Sequence, residues 1–429
     1  MRDPARALFI HSLSQCTVEK AFEKHVSCDR GVLRVCEDLY DLNSFVRIFA
    51  VSLGKAAHTM LQALIAQAGE RFEGIVVSPV PPAEHIRGFR YFQGGHPLPN
   101  AESIRGAEAV LKSLTAQNAA SLVIYLLSGG ASAAVEKPID DEISLDDLVA
   151  TYRSLVHSGA PIAEINAIRK HLSAIKGGRL AQAAAPAQQV SIFVSDVPDN
   201  TLDALGSGPT MSDTSTAEDC YAIATKHNLL PQLPVSVREL FERHALEETP
   251  KSDDHAFHRS RWFTVLSNDS LLNVAKAEAE KNGFVVEIDN SCDDWDYLRA
   301  ADYLLNKLRE LRKKHERVCL LSGGEVTVKV TNGGTGGRNQ QFALACAQKI
   351  AEENITVLSG GTDGIDGNST AAGGVADGTT QARAKENGLS IEDHLTHFDA
   401  YPLFAKLGDA IETGPTGNNI RDLRILLAY

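Results

Sequence analysis

The sequence lacks a run of about 18 apolar residues, the length at which a helix can span a membrane. Residues 1–15 also lack the apolar core of a secretory signal peptide, and acidic residues appear early, at Asp3 and Glu19. We therefore expect a protein that is not bound to a membrane and that is located in the cytoplasm.

Paired cysteines and an excess of positive charge are also absent. The seven cysteines are scattered and include no C-x-x-C pair, so we expect reduced thiols and no zinc site. The formal net charge of −13 at pH 7 argues against a nucleic acid partner. The 43% hydrophobic and 23% charged residues are typical of a globular protein, and 429 residues suffice for two or three domains.

Two common nucleotide-binding motifs are missing as well. Gly54-Lys55 follows a predicted strand, but a P-loop requires a glycine where Phe49 stands and Ser or Thr where Ala56 stands. No G-x-G-x-x-G sequence occurs, which weighs against an NAD enzyme of the Rossmann type. Lys55 at a strand end still has the position and charge to contact a phosphate; the alternative is a lone surface lysine.

Short apolar runs recur along the chain, and most end in glycine or a small polar residue. The predicted strands span residues 46–51, 75–77, 122–127, 190–194, 263–266, 318–321 and 355–358. Helix-period segments separate most of them, which predicts an α/β protein with mainly parallel sheets whose ligands bind at the carboxyl ends of the strands. Residues 244–261 are charged and poor in apolar side chains, so we expect domains of residues 1–245 and 246–429; the alternative is an insertion within one domain.

Residues 322–345 form the most distinctive stretch of the chain. An S-G-G turn follows a predicted strand, and Val326, Val328 and Val330 alternate with polar residues as in a further short strand. Glycines occupy four of the five positions 333–337, and a predicted helix begins beside Arg338. Exposed N–H groups, a helix start and a guanidinium together suit a phosphate or a carboxylate. The alternative interpretation is a mobile connector with a surface arginine.

Two aspartates lie at the ends of predicted strands. Asp196 follows residues 190–194, and Asp363 follows residues 355–358 in the sequence SGGTDG. Carboxylates in this position suit Mg²⁺ or a general base, although capping of a turn or helix explains either one equally well. His96, in the sequence GGHP, is most simply a turn residue.

A helix is predicted over residues 161–179, with Gly177-Gly178 as its stop signal. Lys170, Lys176 and Arg179 lie in this segment, which has the densest positive charge in an acidic chain. The segment is either a site for an anionic substrate or an ordinary solvated helix face.

These stretches together resemble the glycerate 2-kinase family, whose members have a C-terminal MOFRL domain. They follow the family's order over nearly the whole chain, as SLGKAA (52–57), GGHPLP (94–99), SGAPIAEINAIRKHLSAIKGGRLA (158–181), SDVP (195–198), SGPT (207–210), residues 322–345, SGGTDGIDG (359–367) and TGPTGNN (413–419). The chain departs from the family pattern at Ala131, Thr335, Gln341 and Thr370 and in the segment Pro198–Thr201.

The resemblance implies a Rossmann-like N-terminal α/β domain, a MOFRL-type C-terminal α/β domain and an active site in the cleft between them. It implies phosphorylation of the 2-hydroxyl of D-glycerate by ATP with Mg²⁺, giving 2-phosphoglycerate and ADP. Some family members have been labelled hydroxypyruvate reductases, so that activity is one alternative. A non-catalytic protein that binds a nucleotide or sugar acid is the other. Neither nucleic acid nor membrane is expected as a partner, and both a monomer and a homodimer remain open.

The resemblance and the strand-end pattern also predict the site residues. Lys55, Asp196 and Arg338 are the predicted catalytic residues, with Arg338 on either a phosphate or the glycerate carboxylate. The predicted nucleotide-binding residues are Ser128, Gly129, Gly130, Ser132, Gly323, Gly324 and Asn339. The predicted substrate-binding residues are Lys170, Lys176 and Arg179, and the predicted metal ligands are Asp196 and Asp363.

Overall fold

The structure is a computed structural model that describes residues 2–331 and 333–429. Asn332 of the glycine-rich stretch and the side chain of Asp199 lie outside that description. None of the described helices is both long enough and apolar enough to cross a membrane.

Helices and strands alternate through most of the described chain. The helices are α1 (Arg2–Gln15), α2 (Val18–His25), α3 (Ala57–Ala68), α4 (Ala101–Leu114), α5 (Ala131–Ala134), α6 (Leu145–His157), α7 (Ile162–His171), α8 (Arg179–Ala184), α9 (Ala217–Lys226), α10 (Val235–Glu242), α11 (Asn268–Lys281), α12 (Tyr297–Arg312), α13 (Arg338–Lys349), α14 (Thr380–Glu386), α15 (Ile391–Thr396) and α16 (Ala400–Leu407). The strands are β1 (Val26–Asp29), β2 (Val32–Val35), β3 (Asp38–Asp41), β4 (Arg47–Leu53), β5 (Glu73–Ser78), β6 (Phe89–Gln93), β7 (Ser121–Ser128), β8 (Gln188–Val194), β9 (Ser260–Leu266), β10 (Val285–Ile288), β11 (Val318–Ser322), β12 (Ile355–Gly361), β13 (Gly373–Asp377), β14 (Ala410–Ile411) and β15 (Asp422–Ala428). All seven predicted strands are present.

Packing divides the chain into two compact units. The first unit contains residues 21–265, and the second unit combines residues 2–20 with the described residues from 266 onward. Helix α1 lies in the second unit because its apolar side packs on α11 and β12, with Phe9 completely buried. The predicted domain boundary after residue 245 lies in the segment that precedes β9.

The first unit is built on a six-stranded sheet with the order β6-β5-β4-β7-β8-β9. The pairs β6–β5, β5–β4, β4–β7 and β7–β8 are all parallel. Every residue of β7 is buried, as expected for a central parallel strand covered on both faces. The parallel arrangement places the carboxyl ends of β4, β7 and β8 side by side at one edge of this sheet.

The second unit contains a six-stranded sheet with the order β10-β11-β15-β12-β13-β14. Only β10 and β11 pair in parallel; the other four pairs are antiparallel. The α/β class is thus confirmed, but the prediction of mainly parallel pairing holds only for the sheet of the first unit. The reason is β15, which runs antiparallel between β11 and β12 and was not among the predicted strands.

The local structure differs from the sequence analysis at residues 26–41 and 326–330. Residues 26–41 form a small antiparallel sheet, β1–β3, that the apolar runs did not indicate. The alternating segment Val326–Val330 is no strand, and its described contact with a neighbouring strand-like segment is a single bridge from Thr327 to Asp296. The apolar face of this segment is buried only at Val326, and Val330 is exposed, so the alternating valines are not packed along their length as in a strand.

The helix predicted over residues 161–179 is two helices, α7 and α8, separated by residues 172–178. The Ser173 hydroxyl accepts hydrogen bonds from the N–H groups of Ile175 and Lys176 at 3.2 and 3.4 Å. A side chain that satisfies these donors replaces the helical hydrogen bonds there. Gly177 and Gly178 then adopt φ values of 60° and 86°, and α8 begins at Arg179.

Candidate active site

The ends of β4 and β7 in the first unit are tied together by hydrogen bonds. The Ser128 hydroxyl accepts the Ala56 N–H at 3.0 Å and donates to the Leu53 carbonyl at 3.3 Å. The Lys55 N–H donates to the Gly129 carbonyl at 2.8 Å. The two loops therefore hold each other in place, and the Lys55 side chain leaves from a fixed backbone.

The Gly129-Gly130 turn lies against three polar side chains. A Cβ atom at Gly129 would lie 1.9 Å from Oδ2 of Asp196, so only glycine leaves room for that carboxylate. A Cβ atom at Gly130 would lie 3.0 Å from Cγ of Lys55 and 3.2 Å from Cδ2 of His96. The structure thus brings together two predicted catalytic residues, two predicted nucleotide-binding glycines and His96, which the sequence indicated only as a turn residue.

The turn leads into the short helix α5, which is anchored to residues 199–207. The hydroxyls of Ser132 and Ser207 lie 2.9 Å apart. The Ala131 methyl group lies beside Gly206, where an added Cβ atom would approach it to 3.1 Å. The methyl group that distinguishes this chain from the family pattern is therefore accommodated against Gly206.

The charge on Lys55 affects its neighbour His96. Partial burial, together with that positive charge, lowers the pKa of His96 below its ordinary value. The imidazole is consequently neutral at physiological pH, with one nitrogen able to donate and the other able to accept a hydrogen bond.

Lys170 and Lys176 are engaged inside the first unit. The Lys170 ammonium lies 2.9 Å from Asp203 and 3.0 Å from Asp213. The Lys176 ammonium forms a completely buried ion pair with Glu136, and burial lowers the pKa of this lysine well below its ordinary value. Both predicted substrate-binding lysines are therefore paired with carboxylates of the protein.

Arg179, the third predicted substrate-binding residue, is also buried. Its guanidinium donates to the carbonyls of Glu247 and Glu248 at 3.4 and 3.3 Å. Burial lowers the pKa of Arg179 despite the nearby acidic side chains. The residue links the start of α8 to the segment that follows α10.

In the second unit, Arg338 is held by two carboxylates. Its Nε and one terminal nitrogen donate to Asp422 at 2.6 and 3.0 Å, and Glu325 lies 2.7 Å away. Burial opposes the charge, but the hydrogen bonds and charge of Asp422 raise the pKa of Arg338 above its ordinary value. The guanidinium is therefore a cation held by two carboxylates in this structure.

The start of α13 already has an anionic partner in the protein. The carboxylate of Asp366 accepts the N–H groups of Asn339 and Gln340 at 3.1 and 2.8 Å. Burial raises the pKa of Asp366 to about 7. Asn339 itself is buried and hydrogen-bonded to Asp366 and Ser359, so its predicted contact with a nucleotide is not evident in this geometry.

The S-G-G turn after β11 is similarly engaged by side chains. The Gly323 N–H donates to Asn290 at 2.8 Å, and the Gly324 N–H donates to Asn268 at 3.1 Å. A Cβ atom at Gly324 would also lie 2.6 Å from Oδ1 of Asp293. The glycines here permit close packing of protein groups.

A cavity of about 720 Å³ lies beside Arg338 within the second unit. Glu325, Asp363 and Asp366 contribute acidic groups to its wall, and Val328 and Phe398 contribute apolar ones, in a lining of seventeen residues. The cavity is of the size that holds a small-molecule ligand.

The described residues contain no group of three His, Cys, Asp or Glu side chains arranged to hold a metal. Two carboxylates nevertheless lie close together beside Gly361. A Cβ atom added at Gly361 would lie 3.2 Å from Oδ1 of Asp363 and 3.4 Å from Oδ1 of Asp422. Mg²⁺ bound with a nucleotide takes one or two carboxylates, phosphate oxygens and water. The oxygen donors present in the second unit therefore fit such an ion.

In each unit, residues that the sequence analysis did not assign a role lie beside predicted ones. His96 and Asp422 adjoin Lys55 and Arg338, respectively, and Asp366 caps α13. A neighbouring glycine was the available signal for His96 and Asp366, since GGHP precedes one helix and DGIDG precedes a buried strand, whereas no such signal marks Asp422.

Two family models match the chain. The domain of unknown function DUF4147 matches residues 4–242, and the MOFRL family matches residues 318–422.

Several proteins resemble the chain over almost its whole length. It is 35% identical to a D-glycerate 2-kinase from Thermotoga maritima, covering 95% of this chain and 96% of that protein. A glycerate 2-kinase from Pyrococcus horikoshii is 34% identical over 89% and 87% of the two chains, and a putative hydroxypyruvate reductase from Agrobacterium vitis is 33% identical over the same shares. The solved structure of a Thermotoga maritima glycerate kinase superimposes with a TM-score of 0.86 at 32% identity, covering 99% of this chain and 98% of that one. The chain therefore belongs to the DUF4147 and MOFRL family that includes the glycerate 2-kinases.

Proposed function

We propose that this protein transfers the γ-phosphoryl group of ATP to the 2-hydroxyl of D-glycerate, giving 2-phosphoglycerate and ADP. The glycerate kinases among its relatives support this reaction, and so does the Gly129-Gly130 turn between Lys55 and Asp196. Phosphoryl transfer depends mainly on positioning and on neutralisation of charge, and this turn offers a fixed backbone, a cation and a carboxylate. That turn is the observation on which the proposal chiefly rests.

Each predicted catalytic residue has a chemical role in this proposal. Lys55 neutralises charge on the transferring phosphoryl group, and Asp196 accepts the proton of the glycerate hydroxyl as its oxygen attacks phosphorus. Arg338 contacts a phosphate or the glycerate carboxylate; its two-pronged contact with Asp422 supports this role, because Asp422 holds the guanidinium in one orientation. Mg²⁺, when bound with ATP, would offset phosphate charge, with Asp196 as its proposed ligand in the first unit and Asp363 as its proposed ligand in the second.

The proposed roles of the other predicted residues follow from their contacts. We propose that Lys170, Lys176 and Arg179 act on the substrate indirectly, by holding the segments around α7 and α8, because each cation is engaged by the protein. Ser128, Gly129, Gly130 and Ser132 remain the proposed phosphate-facing residues of the first unit. A cytoplasmic location is proposed with ATP as the phosphoryl donor.

A coupled assay tests the proposed function. The purified protein is incubated with Mg²⁺, ATP and D-glycerate while ADP release is followed, and in parallel with NADH and hydroxypyruvate while NADH loss is followed. We expect ADP release with formation of 2-phosphoglycerate and no oxidation of NADH. Consumption of NADH without release of ADP would instead support a hydroxypyruvate reductase.

A further inference from the structure

The loop that presents His96 is held rigidly between β6 and α4. A Cβ atom at Gly94 would lie 1.9 Å from the Ala134 carbonyl, so this glycine allows the loop to pack on α5. The Gly95 N–H donates to the Ser103 hydroxyl at 2.9 Å, and that serine belongs to the capping box of α4. The position of His96 is therefore set by packing and hydrogen bonds on both sides of the loop.

The imidazole ring of His96 lies beside Gly130, next to the Lys55 side chain. Its Cδ2 atom would lie 3.2 Å from an added Cβ atom there, and Nε2 is the next atom of the ring. The residue is exposed, and within the described part of the chain no hydrogen bond or ion pair engages its ring nitrogens. Its ring nitrogens are therefore accessible to a ligand, unlike those of the buried His171, one of which lies 2.8 Å from the Ala167 carbonyl.

The side chains around Gly130 differ in charge. Lys55 is a cation, the neighbouring Asp196 is a carboxylate, and His96 is neutral because of its partial burial and the adjacent lysine. A small hydroxy acid matches this set, since it offers a hydroxyl proton to Asp196 and a carboxylate that can accept a hydrogen bond from the neutral imidazole. A triphosphate has no hydroxyl proton to give to Asp196, so its phosphoryl group approaches Lys55 while the hydroxyl of the acid approaches Asp196.

We propose that His96 binds the hydroxy-acid substrate directly, through a hydrogen bond from its imidazole at the face of Gly130. This inference rests on the proposed function for the identity of the acid, D-glycerate. It assigns His96 to recognition of the phosphoryl acceptor and not to binding of ATP.

The test compares His96→Ala, His96→Gln and the control His157→Ala in the full chain. His157 is an exposed histidine at the end of α6 in the same unit. Isothermal titration calorimetry measures the Kd of D-glycerate without nucleotide, and the coupled assay measures KM for D-glycerate and for ATP. Because His96 is exposed, all three variants are expected to fold, and circular dichroism and thermal melting verify this.

Loss of one hydrogen bond is expected to raise the Kd and KM of D-glycerate about tenfold in His96→Ala. His96→Gln keeps a donor near the position of Nε2 and should remain within about threefold of the wild-type values. The KM of ATP should not change in either variant, and His157→Ala should match the wild type throughout.

Unchanged D-glycerate affinity in His96→Ala would overturn the inference, as would a rise in the KM of ATP alone or an absence of D-glycerate binding in the wild type. The experiment distinguishes failure of this inference from failure of the proposed function. Wild-type turnover with unaltered binding by His96→Ala would refute only the role of His96. Weakened binding by His96→Ala in a protein that releases no ADP would support His96 and refute the kinase.

Discussion

Replacement of Gly129 by alanine tests the contact between the turn and Asp196. The backbone of Gly129 is outside the left-handed region, so alanine introduces no conformational strain there. Its Cβ atom would instead lie 1.9 Å from Oδ2 of Asp196, whereas ordinary contacts begin at 3.4 Å. The Asp196 carboxylate must therefore move by about 1.5 Å, or the backbone must shift by a similar amount.

The size of the effect follows from this displacement. Overpacking of this kind costs about 1–3 kcal/mol of unfolding free energy. A catalytic group displaced by about 1 Å loses on the order of 10² in rate. We therefore expect Gly129→Ala to be folded, less stable by about 1–3 kcal/mol and about 10²-fold slower in kcat.

The assay combines urea unfolding with ADP release, and it includes a double mutant. Asp196→Ala removes the clashing carboxylate, so adding Gly129→Ala to it should cost almost no further stability. The control is Gly159→Ala, which has a φ of +75° and nothing within 4 Å of the added Cβ atom. The control should lose about 1–2 kcal/mol from backbone strain and retain wild-type kcat.

Two results would refute the reasoning about this turn. One is wild-type kcat in Gly129→Ala. The other is an equal loss of stability from Gly129→Ala in the wild-type and Asp196→Ala backgrounds, because neighbours in contact should show a coupling energy.

Three further predictions concern the second unit. Arg338→Lys keeps the charge but loses the planar two-pronged contact, so we expect its kcat to be about 10²–10³-fold below that of the wild type. Near wild-type activity would show that charge alone suffices. Asp363→Asn should raise the Mg²⁺ concentration needed for half-maximal activity more than it raises the KM of D-glycerate, and an unchanged Mg²⁺ titration would count against its role. Asp366 has a folded-state pKa of about 7 against 3.8 for an ordinary aspartate, so the folded protein retains a proton that the unfolded chain releases. Its contribution to the unfolding free energy should be full below pH 4 and fall by about 4 kcal/mol as pH rises to 7, and urea unfolding should show a flatter pH dependence in Asp366→Asn.

The strands were predictable because buried strands have short runs of apolar residues in the sequence. The direction of pairing was not, as β15 illustrates. Its sequence, DLRILLA, includes Arg424, which is completely buried and interrupts the apolar run. Nothing local specifies that this strand lies antiparallel between β11 and β12, since that arrangement depends on contacts with segments distant in sequence.

The cluster at the Gly129-Gly130 turn was predictable in outline because parallel strands bring their carboxyl ends to one edge. The partners of the cations were not. Arg338 pairs with Asp422, 84 residues away, and Lys176 pairs with Glu136, 40 residues away. The sequence shows that a cation is present but does not show which carboxylate it pairs with. Lys176 was therefore predicted to bind the substrate, whereas in the structure it is buried against Glu136.

Turnover by Lys55→Ala tests the central claim most directly. Lys55 is exposed, so the variant should fold and melt like the wild type. If its ammonium neutralises charge on the transferring phosphoryl group, ADP release with saturating ATP and D-glycerate should fall by roughly 10²–10³-fold, the scale for a lost preorganised electrostatic contact. A folded Lys55→Ala protein that releases ADP at the wild-type rate would contradict the assignment of this turn as the phosphoryl-transfer site.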